Sequence, residues 1–174
     1  MRFIDKLETE RLIAKRLKDT TEAARCYKNF YCSKKTAKYM LWKPTENIEE
    51  AKIKISNWSK EQEDVVMWFI YEKSSMEPIG FFGVQKLSDT KYGEIVICFG
   101  EKFVGKGYGY EIMIWLINYL KTLGAKEVEY SYLEGNIASK NLAEKLGFKF
   151  THVGQRFRKW DSKMFNEYFY VLKI

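Results

Sequence analysis

Val104-Gly105-Lys106-Gly107-Tyr108-Gly109 places a glycine at every second position, between a strand-like apolar stretch (Ile95 to Phe99) and a long amphipathic one (Glu111 to Leu123). A strand, a glycine turn and a helix start in that order form a nest of free backbone N–H groups at the positive end of a helix dipole. Such a nest binds anions, most often the phosphates of a cofactor. The alternating glycines also let the main chain approach a ligand with no Cβ in the way.

Three kinds of glycine loop compete for this pattern. A P-loop requires G-x-x-x-x-G-K-[ST], but Lys106 falls between the glycines, and Tyr108 rather than Ser or Thr follows Gly107. A dinucleotide fingerprint requires G-x-G-x-x-G in an early βαβ unit. Gly105 and Gly107 fit it, yet Tyr110 stands where the third glycine belongs and the loop lies past the middle of the chain. The third is R/Q-x-x-G-x-G/A, the coenzyme A loop of the GNAT acetyltransferases. Residues 104–109 match it except that Val104 replaces the leading Arg or Gln.

The wider chain resembles that superfamily. Gly93 to Glu111 is similar, without a gap, to the fourth strand, pyrophosphate loop and third helix of the RimJ/RimL-type acetyltransferases. Glu8-Thr9-Glu10-Arg11-Leu12-Ile13 resembles their opening strand, Trp68-Phe69-Ile70 their second, and Pro78-Ile79-Gly80 with Gly83 their third. Asn136-Ile137-Ala138-Ser139 followed by Glu144-Lys145-Leu146-Gly147-Phe148 resembles their fourth-helix signature. The resemblance implies an α/β GNAT fold: a central mixed, mostly antiparallel sheet of six to seven strands, splayed between the fourth and fifth, with about four flanking helices.

The residue pattern agrees with a mixed α/β chain. Strands are predicted at Arg11 to Leu17, Val65 to Glu72, Ile79 to Leu87, Tyr92 to Phe99, Val128 to Leu133, Phe148 to Val153 and Asn166 to Lys173, with a loop around Trp160-Asp161-Ser162 between the last two. Helices are predicted after the cap signal Asp19-Thr20-Thr21-Glu22, over Ser33 to Tyr39, from the Thr45 region to about Glu61, from Gly107 to about Leu123, and from Asn136 to just before Gly147. Ile112, Trp115, Leu116, Tyr119 and Leu120 recur at helical spacing and should face the sheet.

With 174 residues the chain is expected to form one domain, residues 1–174. No run of apolar residues is long enough for a membrane helix, and the N-terminus has no apolar signal region, so a cytoplasmic protein without membrane partners is expected. Cys26, Cys32 and Cys98 are odd in number and lack C-x-x-C spacing, as free thiols in a reducing compartment do. The net charge of +7 comes from lysines spread evenly among Glu and Asp, and no stacking-aromatic RNA-binding motif accompanies it. That argues against a nucleic-acid partner. The charge still favours attraction of a polyanionic cofactor.

The resemblance implies acetyl transfer from acetyl-coenzyme A to an amine by direct attack in a ternary complex, with no metal. Four tasks follow. Backbone N–H groups over Val104, Gly105, Lys106, Gly107, Tyr108, Gly109 and Tyr110 would wrap the pyrophosphate. Lys102, Lys106 and Lys145 are candidates for the 3′-phosphate. The pantetheine arm would lie along the fourth strand, taking backbone contacts from Ile97, Cys98 and Phe99, where a main-chain N–H also faces the oxyanion.

Glu94 interrupts an apolar strand at an acidic position of the family, which makes it the candidate general base; the alternative is a strand-edge glutamate in solvent. Many GNAT enzymes protonate the leaving thiolate with a helix-4 tyrosine, but Ala143 stands there. The RimJ/RimL-type Asn-x-x-Ser is met by Asn136, for the pantetheine arm and as a helix cap, and Ser139, for the sulfur, with Tyr130 and Tyr132 in reserve. A ping-pong route through Cys98 would need a histidine, and His152 alone is present; Cys98 reads as a packed core thiol.

The resemblance places the acceptor amine near Tyr31 to Trp42 and Gln155 to Asn166. The first stretch holds no acidic residue, which favours a protein N-terminal α-amine or a small amine over antibiotics and polyamines. A non-catalytic acyl-coenzyme A sensor is the other reading. Both a monomer and a homodimer are compatible with the sequence.

Overall fold

The structure is a computed structural model that describes residues 3–17, 20–60 and 65–174. Eight strands form one sheet: β1 (Lys6–Glu8), β2 (Leu12–Arg16), β3 (Val65–Glu72), β4 (Pro78–Lys86), β5 (Lys91–Phe99), β6 (Glu127–Leu133), β7 (Lys149–Arg158) and β8 (Lys163–Lys173). Their spatial order is β1-β2-β3-β4-β5-β6-β8-β7. All neighbours run antiparallel except β5 and β6, which are parallel. That single parallel pair requires a crossover, and a helix supplies it.

The helices are α1 (Ala23–Cys26), which continues into a π-helical turn at Tyr27–Tyr31, then α2 (Lys34–Ala37), α3 (Ile48–Lys60), the crossover helix α4 (Tyr108–Thr122) and α5 (Ile137–Lys145). Among the described residues no helix is long and apolar enough to cross a membrane. The mixed α/β class with a mostly antiparallel sheet expected from the sequence is the class observed, with eight strands in place of six or seven. The additional strand is β1, whose three residues are too few to show alternation. It shifts the numbering, so the family's fourth and fifth strands are β5 and β6.

The last two strands are longer than predicted and form a hairpin with only a short turn near Trp160. β7 is an edge strand whose first five residues are all exposed, so no inside–outside alternation marks where it begins. The turn is fixed from below: the buried Arg158 guanidinium donates to Asp161 at 2.9 and 2.6 Å and to the Lys38 carbonyl at 2.6 Å. The cap signal at Asp19 and the predicted helix end at Glu61 fall outside the described residues.

Two hydrophobic clusters cover the two faces of the sheet. One gathers Trp68, Phe82, Tyr92 and Tyr130 with Ile112, Met113 and Leu116 of α4. The other gathers Phe30, Tyr31, Ile55, Met67, Phe69, Phe81 and Cys98 under α1 and α3. In β5, Tyr92 belongs to the α4 face, and Ile97 and Phe99 pack there too, whereas Cys98 faces the other way. Strict alternation would put 92 and 97 on opposite faces. A register shift in the β4–β5 pairing, where Val84 opposes Glu94 and Gly83 opposes Val96, makes Ile95 the surplus residue of a bulge and resets the parity. β5 is also held close to β4: a Cβ on Gly80 would lie 2.1 Å from the Cys98 carbonyl oxygen.

Candidate active site

β5 and β6 pair only over Lys91↔Glu127, Tyr92↔Val128 and Gly93↔Glu129. Beyond Gly93 no strand among the described residues pairs with that edge of β5, and a cavity of about 330 Å³ opens in the gap. Its walls come from Glu94 to Ile97 of β5, Tyr130 to Leu133 of β6, the start of α5, and Tyr39 to Trp42 with Trp58 and Met67. Met67 and Tyr130 belong to opposite faces of the sheet, so the cavity joins the two sides.

At one end of the gap lies the glycine turn. Gly105 and Gly107 have φ of +77° and +80°, left-handed values that a side chain would strain. A Cβ added at Gly105 would meet nothing within 4 Å, so the turn is open on its outer side. Among the described residues, none of the N–H groups from Gly105 to Tyr110 donates to a backbone or side-chain acceptor, and α4 begins directly behind them. Val104 points to solvent and contributes no polar group. Gly109 packs against Leu142, Phe99 and Ile97. Tyr110 lies under the Lys145 ammonium at 4.4 Å, and Lys106 sits 3.7 Å from Glu72, which also accepts a 2.5 Å hydrogen bond from the Tyr108 hydroxyl.

Arg11 ties this turn to the rest of the fold. Its guanidinium donates to the Lys106 carbonyl at 2.9 Å and to Glu111 at 2.7 Å, and its backbone N–H donates to the same carboxylate at 2.9 Å. Partial burial works against ionising Glu111, but hydrogen bonds from Thr9 and Arg11 outweigh it and hold the carboxyl below its ordinary range. Arg11 also stacks 4.7 Å above the Tyr108 ring.

Glu94 is 8% exposed, which removes the alternative of a strand-edge glutamate in solvent. Its Oε1 has no hydrogen-bond partner among the described residues. Burial, with the nearby charge of Glu167, pushes its carboxyl up to about 8. Glu167 itself is buried, but its Oε2 accepts 2.8 Å bonds from Arg156 and its Oε1 accepts the Ser131 hydroxyl at 2.9 Å.

Across the gap, the Tyr130 hydroxyl and Ser139 Oγ lie 2.6 Å apart. Burial raises the Tyr130 phenol above its ordinary value. Asn136 caps α5, its Oδ1 accepting from the Ser139 N–H at 3.2 Å, and both side chains line the cavity.

The structure thus brings Glu94, Ile97, Asn136 and Ser139 into one cavity, with the glycine turn beyond its end, while Cys98 turns away into the opposite core. Burial raises the Cys98 thiol well above its ordinary value, and His152 is on β7 with β6 and β8 between them. A thiolate–imidazole pair is therefore not assembled. Of the two stretches expected to line the acceptor side, Tyr39 to Trp42 do so. Residues 155–166 do not; Arg156 reaches the cavity only through Glu167. Arg158 instead braces the cavity wall from outside, donating to the Lys38 and Met40 carbonyls at 2.6 and 3.4 Å.

Sequence reasoning missed Arg11 and Glu167. A signal existed for Glu167, which interrupts an aromatic strand as Glu94 interrupts an aliphatic one.

A family model described as an acetyltransferase (GNAT) domain matches residues 11–149. An uncharacterized protein of Methanocaldococcus jannaschii is 35% identical over 102 residues, covering 57% of this chain and 21% of its own length, so the chain spans about a fifth of that curated relative. Among solved structures, a GCN5-related N-acetyltransferase from Brucella melitensis superposes with a TM-score of 0.86 at 13% identity, over 99% of this chain and 80% of that one. The microcin C7 self-immunity acetyltransferase MccE, solved with acetyl-coenzyme A and AMP, superposes with a TM-score of 0.81 at 19% identity, over 95% and 93% of the two chains. At these identities the superpositions show a shared fold.

Proposed function

The chain belongs to the acetyltransferase (GNAT) domain family, and on that premise we propose that it transfers an acetyl group from acetyl-coenzyme A to the nitrogen of a primary amine by direct attack in a ternary complex. The observation that carries this reading is the unsealed gap between β5 and β6, with a buried carboxylate inside it that keeps one oxygen without a partner among the described residues, and an open glycine turn beyond it. The uninterrupted match of Gly93 to Glu111 with the RimJ/RimL-type block favours that branch of the family.

The residues present fit the co-substrate. Main-chain N–H groups of Gly105 to Tyr110 hold the diphosphate, and the dipole of α4 adds to them. Arg11 brings to the loop the cationic group that Val104 does not. Ile97, Cys98 and Phe99 offer the unpaired edge of β5 to the pantetheine arm, Asn136 steadies that arm, and an edge N–H faces the thioester oxygen. Acetyl-coenzyme A supplies the thioester carbonyl.

Glu94, whose raised pKa suits it to take a proton near neutral pH, deprotonates the incoming ammonium. The freed nitrogen lone pair then forms the C–N bond to the acyl carbon. As the C–S bond breaks, Ser139 passes a proton to the sulfur and is refilled from Tyr130. The proton taken up by Glu94 returns to Tyr130 and the second nitrogen proton leaves to solvent, so amide, free thiol and one released proton balance the exchange and the enzyme is restored.

The test is thiol release from acetyl-coenzyme A against a panel of peptides and small amines, run beside thermal shift with acetyl-coenzyme A alone. A rise in melting temperature with amine-dependent thiol release is expected. No thermal shift and no release would end the proposal.

A further inference from the structure

Only two charged residues, Glu94 and Glu167, stand among the described residues that line the cavity between β5 and β6. They are not equivalent. Glu167 is already matched by the Arg156 guanidinium and the Ser131 hydroxyl, whereas Glu94 has an oxygen without a partner. The cavity therefore presents one uncompensated acidic group, enough for one ammonium.

The rest of the acceptor side is apolar. Met40, Leu41, Trp42, Trp58, Val65 and Met67 line it without a charge. The two tryptophans are braced by Phe81, at 6.3 Å from Trp42 and 5.0 Å from Trp58. A braced wall of this kind is a rigid surface for an apolar or aromatic group. Behind Trp42 the Lys54 ammonium sits 4.3 Å from the ring centroid, held by the Lys43 carbonyl at 2.7 Å. A second or third cation on the acceptor would thus approach a lysine and find no free carboxylate.

Resting on the acetyl-transfer reading above, we propose that the acceptor is a primary amine with one positive charge on an aromatic or bulky apolar body, its nitrogen at Glu94 and its body against Trp42, Trp58 and Met67. This chemistry has two sources, a free arylalkylamine and a peptide whose first residue is aromatic.

The experiment measures kcat/KM by thiol release, with mass-spectrometric detection of the acetylated product. The acceptors are 2-phenylethylamine, a phenylalanine-first tripeptide amide, ethylamine, spermidine and kanamycin. At least one of the two aromatic acceptors should exceed ethylamine and spermidine by about tenfold or more, the scale of discrimination that an apolar pocket supplies. Whichever of the two is faster identifies the source. Trp42→Ala should erase most of that preference, and Trp42→Phe, which keeps a ring in place, should retain it.

Preference for spermidine or kanamycin, or equal use of ethylamine, overturns the proposal. A thermal shift with acetyl-coenzyme A but no acetylated product from any acceptor also overturns it, and leaves co-substrate binding standing. Neither shift nor product would remove the underlying acetyl-transfer reading as well.

Discussion

Glu94 and Glu167 line the same cavity, yet Arg156 neutralises only Glu167. The charge on Glu167 is one cause of the high pKa of Glu94, after burial itself. A base must be deprotonated to work, so activity should rise with pH through a limb near 8. Removing the neighbouring charge with Glu167→Gln lowers the pKa of Glu94, and freeing Arg156 acts in the same direction. The acid limb of the kcat/KM profile should move to lower pH in that variant. A limb that stays in place would show that Glu94 is not the group being titrated.

Glu94→Gln should lower kcat by about a hundredfold or more while leaving the acetyl-coenzyme A thermal shift intact. The same variant tests linkage. Folded Glu94 keeps its proton up to about 8, whereas the unfolded side chain loses it near 4.5. Between those values the folded state binds more protons, so stability falls as pH rises. Wild type should therefore lose stability relative to Glu94→Gln between pH 5 and pH 8.5, by a few kcal/mol at about 1.4 kcal/mol per pH unit. Urea melts at the two pH values measure it; parallel curves for the two proteins would refute a buried, protonated Glu94.

The 2.6 Å contact between Tyr130 and Ser139 predicts non-additive kinetics. If the two hydroxyls pass one proton in sequence, Ser139→Ala and Tyr130→Phe should each cost roughly tenfold to a hundredfold in kcat. The double variant should then be little worse than the more damaged single one. Multiplicative losses would mean that the hydroxyls act separately.

Arg11 predicts an effect on binding without one on chemistry. Arg11→Ala removes the hydrogen bond to the Lys106 carbonyl and frees Glu111, so the affinity for acetyl-coenzyme A should fall about tenfold with kcat nearly unchanged. The Arg11 side chain is 44% exposed, so its stability cost should be about 1 kcal/mol. Isothermal titration separates the two effects. Unchanged affinity would make the clamp incidental.

Much of this was written locally in the chain. The glycine turn, the strand before it and the helix after it lie within the 32 residues from Lys91 to Thr122, and Glu94 is visible as an acid inside an apolar run. Asn136 declares itself as a cap by its place before a helix. What stayed hidden depends on partners distant in the chain. Arg11 reaches Lys106 only after β2 has joined the sheet, and Glu167 reaches Glu94 only through the pairing of β8 with β6. Edge strands were hard to read for a different reason: β7 exposes its first five residues in a row, so its composition there carries no rhythm.

The surplus Ile95 has a consequence for evolution within the family. Without Ile95 the strand would alternate unbroken and Val96 to Phe99 would keep their present faces, so what this residue supplies is the kink and added twist of the bulge, next to the point where β5 parts from β6. Drift at this spot is thus constrained by counting more than by chemistry. Substitutions of Ile95 should be tolerated far more readily than insertions or deletions beside it.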